Sequence, residues 1–315
     1  MPSQKTKAEF KFTIIMNIGS RFLILLTVCS LIVIETVGWK KGAVQKDNQS
    51  PPVGSLIAPQ MIHPDHIIFL WLENKDLDSI IGNKNAPFIN SLVKKGTLFT
   101  NAHAITHPSY PNYVDFFAGD PNGVVDDACL DSTNLSTPNL YTTLKRVHKS
   151  FAWYSEDLPE NGSKVCVANM YAAKHNPTTI FKNVPRRANK RFADLPINYN
   201  NLENVVCISP NLIHDMHSAS IKDGDDWIKT KMGSLINWCS THNSVFIVYF
   251  DESGVNQDNR IPVIAIGKKV QADFKTNALY DHFSWTKTVS AMFLAPDSWT
   301  GNLSNAKLVT DCWRQ

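Results

Sequence analysis

Several familiar catalytic signatures are missing from this chain, and each gap removes a class of function. There is no Gly-x-Ser-x-Gly turn, so a serine esterase with a nucleophile elbow is not indicated. There is no Walker-type Gly-x-x-x-x-Gly-Lys-Ser/Thr loop and no His-Glu-x-x-His helix, which sets aside nucleotide-cradling and zincin chemistry. None of the six cysteines forms a Cys-x-x-Cys pair, so neither a zinc ribbon nor a thioredoxin-like motif is expected. No long Lys/Arg block occurs, and 31 basic against 28 acidic residues give a net charge of only +3, so no nucleic-acid partner is expected. No internal repeat is visible either.

What is present is an ordinary globular composition over 315 residues, 43% hydrophobic and 19% charged, with 16 Phe and 8 Trp to fill a core. The N-terminus is different. Lys5, Lys7, Lys11 and Arg21 precede an uncharged run from Phe22 to Ile34, closed by Glu35. That run has the length of a signal-peptide core, with Thr36 and Gly38 as small residues before Trp39. Alternatively Arg21 snorkels and Phe12 to Ile34 spans the bilayer as an uncleaved anchor. Either way residues 1–39 direct the rest across a membrane, secreted or membrane-anchored. Residues 40–64 read as a linker and 65–315 as the folded catalytic part. An oxidising destination admits one or two disulfides among Cys129, Cys166, Cys207, Cys239 and Cys312, with pairing left open by spacing. Four Asn-x-Ser sequons begin at Asn48, Asn134, Asn161 and Asn302.

Hydrophobic patterning predicts buried strands at His66–Leu72, Leu98–Ala104, Phe151–Tyr154, Ser244–Phe250 and Ile261–Ile266. Helices are predicted at Phe88–Lys95, Asn139–Val147, Asp225–Cys239 and Trp285–Phe293. This alternation predicts an α/β fold with a mainly parallel central sheet sandwiched by helices. In such sheets functional side chains gather beyond the carboxyl ends of the strands. After Leu72 stand Glu73 and Asn74; after the second strand comes His107-Pro-Ser-Tyr-Pro-Asn-Tyr113; after Phe250 come Asp251 and Glu252. One acid after a strand is ordinarily a helix cap or a solvated loop residue. Several strand ends rich in oxygen donors instead suit a hard divalent cation, with nearby His admitting zinc or iron.

These segments, together with Lys174-His-Asn-Pro177, Asn211 to His217 and Asp281-His282, run in register from about His66 to Leu294. In that order they resemble the acid phosphatase and phospholipase C branch of the alkaline phosphatase superfamily. The resemblance implies divalent metal at the strand ends, held by Glu73, Asn74, Asp251 and Glu252. It implies Ser109 as metal-bound nucleophile, Asn112 as a phosphate donor, and His175 and His217 as groups that contact phosphate or protonate the leaving alkoxide. His282 enters as a further metal candidate. His214 departs from the pattern, standing where an Asn-like residue belongs. The expected activity is metal-dependent hydrolysis of phosphoric monoesters through a phosphoserine, with a small phosphorylated compound or a phospholipid head group as substrate. A phospholipase C-like phosphodiesterase is the alternative, and a degenerate membrane-tethered binding protein is a third reading. The membrane is a partner if the N-terminal segment stays uncleaved.

Overall fold

The chain divides into two units, Met1–Ser55 and Leu56–Gln315. The computed structural model describes residues 61–130, 135–254, 258–296 and 301–314, so the expected export segment and the linker up to residue 60 lie outside the described residues. Among the described residues no helix is long and apolar enough to cross a membrane.

The first half gives β1 (His66–Leu72), α1 (Leu77–Ile80), α2 (Pro87–Val93), β2 (Thr97–Phe99), α3 (Ser109–Ala118), α4 (Leu140–Arg146) and β3 (Phe151–Ser155). A short antiparallel hairpin, β4 (Val167–Ala168) with β5 (Tyr171–Ala172), precedes β6 (Asn189–Arg191) and β7 (Val205–Ser209). Then come α5 (Ile221–Trp227), α6 (Gly233–Thr241), β8 (Ser244–Phe250), β9 (Val263–Ile266), β10 (Phe274–Thr276), α7 (His282–Met292) and α8 (Asn302–Asn305).

Eight strands form one sheet in the order β10-β2-β9-β8-β1-β7-β3-β6. The pairings are parallel except those of β9, which runs antiparallel to both β2 and β8. A parallel return needs a crossover, usually through a helix. Among the described residues the connection from β8 to β9 contains no helix, and the chain doubles back. β1 and β8 are buried along their whole length, as their unbroken apolar sequences predict for strands covered on both faces. Alternation of side chains then separates the two layers. Phe69 and Trp71 point to α3 and α7, meeting Phe116, Tyr113 and Trp285, whereas His66 meets Trp238 of α6 on the opposite face.

Three expectations are corrected. The second strand stops at Phe99, because residues 100–101 turn and only isolated bridges at Ala102 and His103 follow. The final helix begins at His282, where Asp281 accepts from the Ser284 amide and closes a capping box. The helix expected at Asp225–Cys239 begins at Ile221 and runs to Thr241, with residues Ile228–Met232 wound as a π turn between α5 and α6. Several elements were not among those predicted, including the short strands β6 and β10 at the two ends of the sheet, β7, which sits between β1 and β3, and α3, which begins at Ser109 itself.

Candidate active site

β1 and β8 pair in parallel register from His66 opposite Ser244 to Leu72 opposite Phe250. The next residue on each strand is therefore an acid, and Glu73 and Asp251 leave the sheet side by side. The Asp251 amide donates to the Leu72 carbonyl at 3.1 Å, and the Asn74 amide donates to Asp251 Oδ1 at 3.1 Å. β7 brings in the third edge, where the Glu73 amide donates to the Asp215 carbonyl at 2.8 Å.

Ser109 is the first residue of α3 and is 1% exposed. Its hydroxyl lies 3.0 Å from Glu73 Oε2, 3.3 Å from Glu252 Oε1 and 3.4 Å from Asn74 Oδ1. Pro111 is tolerated in the first helical turn because its amide would have no intrahelical partner. The Tyr110 amide donates to Asp127 Oδ1 at 3.0 Å, and the Asp127 carboxylate also accepts from Lys174 at 2.6 Å.

Behind the serine, His175 Nε2 lies 3.3 Å from Glu73 Oε2, and His175 Nδ1 lies 3.2 Å from Asp215 Oδ2. Glu73, His175 and Asp215 can each offer one ligand atom within 4.8 Å of the others, all buried. Four carboxyls are thus crowded at one sheet edge, and burial raises the pKa of every one. Asp215 reaches about 7 through burial, and Glu252 about 8 through burial and the neighbouring Asp251. Glu73 rises by burial and then by the charges of Asp251 and Asp215, and Asp251 also rises by burial. His175 is pushed down to about 3 by burial and then by Lys174, so it stays neutral.

The donor set fits a cation. His175 Nε2, Asp215 Oδ2 and Asp251 Oδ2 are buried without a hydrogen-bond partner. Buried polar atoms are normally satisfied, and neutral imidazole with converging carboxylates is what a divalent ion takes as ligands.

Of the residues named from sequence, Glu73, Asn74, Ser109, Asp251 and Glu252 converge on one point. His175 is at that point too, a buried neighbour of Glu73 and Asp215, and its lowered pKa disfavours the proton-donor role, one of the two expected for it. His217 lies toward the exposed rim, 3.4 Å from Lys174 Nζ, and its pKa is lowered by burial, Lys174 and His175. Asn112 is fully buried and spends its amide on the preceding loop. Its Oδ1 accepts from Ile105 and Thr106, and its Nδ2 donates to the Thr106 carbonyl at 2.8 Å. The same Nδ2 lies 3.5 Å from Glu252 Oε2, so Asn112 ties the Ser109 turn to the edge of the carboxylate cluster. His282 uses both ring nitrogens, bonding Tyr249 OH at 2.7 Å and the Asp251 carbonyl at 2.7 Å. No nitrogen is left for metal, so its part is to fix the Asp251 backbone.

Sequence reasoning missed Asp215, Lys174, Asp127, Tyr113, Lys75 and His107. Tyr113 OH donates to Glu73 Oε1. Lys75 Nζ donates to the Met216 carbonyl at 2.9 Å, and His107 Nδ1 lies 2.8 Å from Glu252 Oε2. Asp215, Lys174, Tyr113 and His107 stand inside the motifs that carry the resemblance, and that was the available signal. Asp127 sits in a polar loop that carried none.

A buried, oxygen-rich cluster surrounds a helix-starting serine at the carboxyl edge of a mostly parallel sheet, an arrangement suited to phosphoester chemistry. The profile of the Phosphoesterase family matches residues 82–296, and the chain belongs to that family. It is a phosphoric ester hydrolase. It is 37% identical over 250 residues to a phosphatidylinositol-3-phosphatase of Mycobacterium tuberculosis, covering 79% of this chain and 82% of that one. It is 31% identical over 257 residues to an acid phosphatase of Aspergillus niger, covering 74% of this chain and 59% of the fungal protein. Its fold is shared with a lipoteichoic acid synthase, LtaP, of Listeria monocytogenes (TM-score 0.54, 9% identity, 77% and 76% of the two chains). A Vibrio parahaemolyticus protein of the alkaline phosphatase superfamily matches with TM-score 0.52 and 13% identity over 75% and 68% of the chains.

Proposed function

We propose that the chain hydrolyses phosphoric monoesters through a phosphoserine at Ser109, with a divalent cation held by Glu73, Asn74, Asp251 and Glu252 and joined by Asp215 and His175. The observation that carries this reading is the convergence of Glu73, Asn74 and Glu252 on the buried Ser109 hydroxyl. A bound divalent cation supplies a lowered hydroxyl pKa and neutralises charge on the phosphoryl oxygens.

The chain's own groups do the rest. Ser109 stands at the N-terminus of α3, where the helix dipole favours the incoming anion. Glu73, whose Oε2 is the nearest acceptor to Oγ, takes up the hydroxyl proton as Oγ attacks phosphorus and the bond from phosphorus to the leaving oxygen breaks. Lys174, whose pKa is raised by its ion pair with Asp127 against the pull of burial, brings a positive charge to the rim. His217 beside it hands a proton to the departing alkoxide. Its lowered pKa, set by burial and then by Lys174 and His175, shifts this acid form to pH below the usual histidine range. The mycobacterial relative's name makes a phosphoinositide monoester one substrate to assay. The disulfide Cys129–Cys166 supports an oxidising destination and hence secretion or membrane anchoring by the N-terminal segment.

Ser109→Ala tests the mechanism. A phosphoserine route predicts that added alcohols yield phosphoryl-transfer products, that phosphorus keeps its configuration, and that Ser109→Ala loses several orders of magnitude in kcat. Direct attack by water, with Ser109 only binding phosphate, predicts inversion and a loss near the ~1–3 kcal/mol of one buried hydrogen bond. Inversion at a chiral phosphate ester rules the phosphoserine out.

A further inference from the structure

A cavity of about 300 Å³ lies beside the site, and apart from Lys174 and Asp127 its wall takes no part in the chemistry above. Two of its wall residues, Tyr110 and Lys174, are the chain neighbours of Ser109 and His175, so the cavity adjoins the reacting centre from two sides. The remaining wall is mainly apolar, from Leu130, Val167, Ala172 and Leu212. Lys174 and Asp127 both line it on the site side, paired with each other at 2.6 Å. Lys164 stands at the exposed rim. The Cys129–Cys166 disulfide ties together two segments that both line the cavity.

We infer that this cavity seats an apolar arm of the leaving alcohol, making the substrate a phosphomonoester whose ester carbon carries a hydrocarbon group. Its volume is at the small end of ligand sites, enough for a single short chain or ring. The mainly apolar wall disfavours a sugar, whose hydroxyls would go largely unpaired against it, and the charges that border it are Lys174 paired with Asp127 and the exposed Lys164. The inference rests on the phosphomonoester reading for its catalytic consequence, while occupancy of the cavity stands separately.

The experiment uses n-alkyl phosphates from ethyl to hexyl, whose leaving alcohols differ little in acidity. With the full chain, kcat/KM should rise by about two- to fourfold per methylene and then level off as the cavity fills. Ala172→Trp fills the cavity and should flatten that rise. Val167→Trp, at a position 68% exposed on the rim, is the second variant should the first fail to fold. Calorimetric binding of ethyl- and hexylphosphonate, which are not turned over, reads the cavity without chemistry. Hexylphosphonate should bind at least tenfold more tightly to the unmodified chain, with the difference lost in either Trp variant. If no alkyl phosphate is hydrolysed yet this difference holds, the phosphatase reading fails and the cavity assignment stands. Equal affinities for the two phosphonates, or no binding of hexylphosphonate, overturns the inference.

Discussion

Asp115 lies within α3, is 1% exposed, and has a carboxyl oxygen with no hydrogen-bond partner. Burial, then the charges of Asp120 and Asp281, raises its pKa to about 7. A raised acid holds its proton in the folded state while the unfolded chain has already released it. Stability is therefore lost as pH climbs from the ordinary Asp range, about 4, to about 7, and levels above that. Asp115→Asn removes the charge at nearly constant shape. The variant should gain on the parent across that window by a few kcal/mol, on the order of the shift itself. Urea unfolding at pH 4.5 and pH 7.5 reads the difference, and parallel pH profiles for the two proteins would contradict it. The catalytic residues were legible for a reason that Asp115 lacks. Glu73 and Asp251 follow unbroken apolar runs and so declare themselves as strand ends, whereas Asp115 is one acid inside a helix that Pro111 hid.

At the scale of elements, α3 illustrates why local sequence misleads. Ser-Tyr-Pro-Asn reads as a turn, yet a proline in the first helical turn removes only a donor that had no partner there. β7 was missed because five apolar residues between polar segments do not distinguish strand from loop until a neighbour pairs with them, here β1 and β3. The far end of α3 is fixed by Gly119, at φ 75°, whose amide donates to the Asp115 carbonyl at 2.7 Å. A Cβ added there would stand 2.1 Å from Leu303 Cδ1, a side chain that is itself buried. Gly119→Ala should therefore destabilise by about 1–3 kcal/mol, from the left-handed backbone and the displaced leucine together. The helix start that carries Ser109 is remote from the change, so kcat of the folded fraction should hold. A thermal scan beside an activity titration checks both, and an unshifted Tm would show that α8 simply moves aside.

For the whole molecule, the sheet draws four carboxyls from three strand ends to one edge, and the metal-free fold bears the burden. Glu73, Asp215, Asp251 and Glu252 all have raised pKa values, with burial the largest cause in each case. By the same sign as for Asp115, the metal-free protein should lose stability as pH rises past about 4, through Asp215 near 7 and Glu252 near 8. A cation held by these groups displaces their protons, so its affinity should grow over the same interval. The proposed metal thus has a thermodynamic signature that needs no assay of turnover. At about 100 times Kd a ligand adds about 2.7 kcal/mol, which for a domain of this size raises Tm by roughly 5–10 °C. That rise should appear at pH 8 and shrink toward nothing at pH 5. Asp251→Asn should reduce it at pH 8 while making the metal-free protein less sensitive to pH, because one of the crowded charges is gone. Scanning calorimetry across Mg²⁺, Ca²⁺, Mn²⁺ and Zn²⁺ at both pH values makes the measurement. If no divalent ion raises Tm at pH 8, or if a rise is the same at pH 5, the carboxyl cluster does not hold a metal and Ser109 must be activated by Glu73 and Glu252 alone.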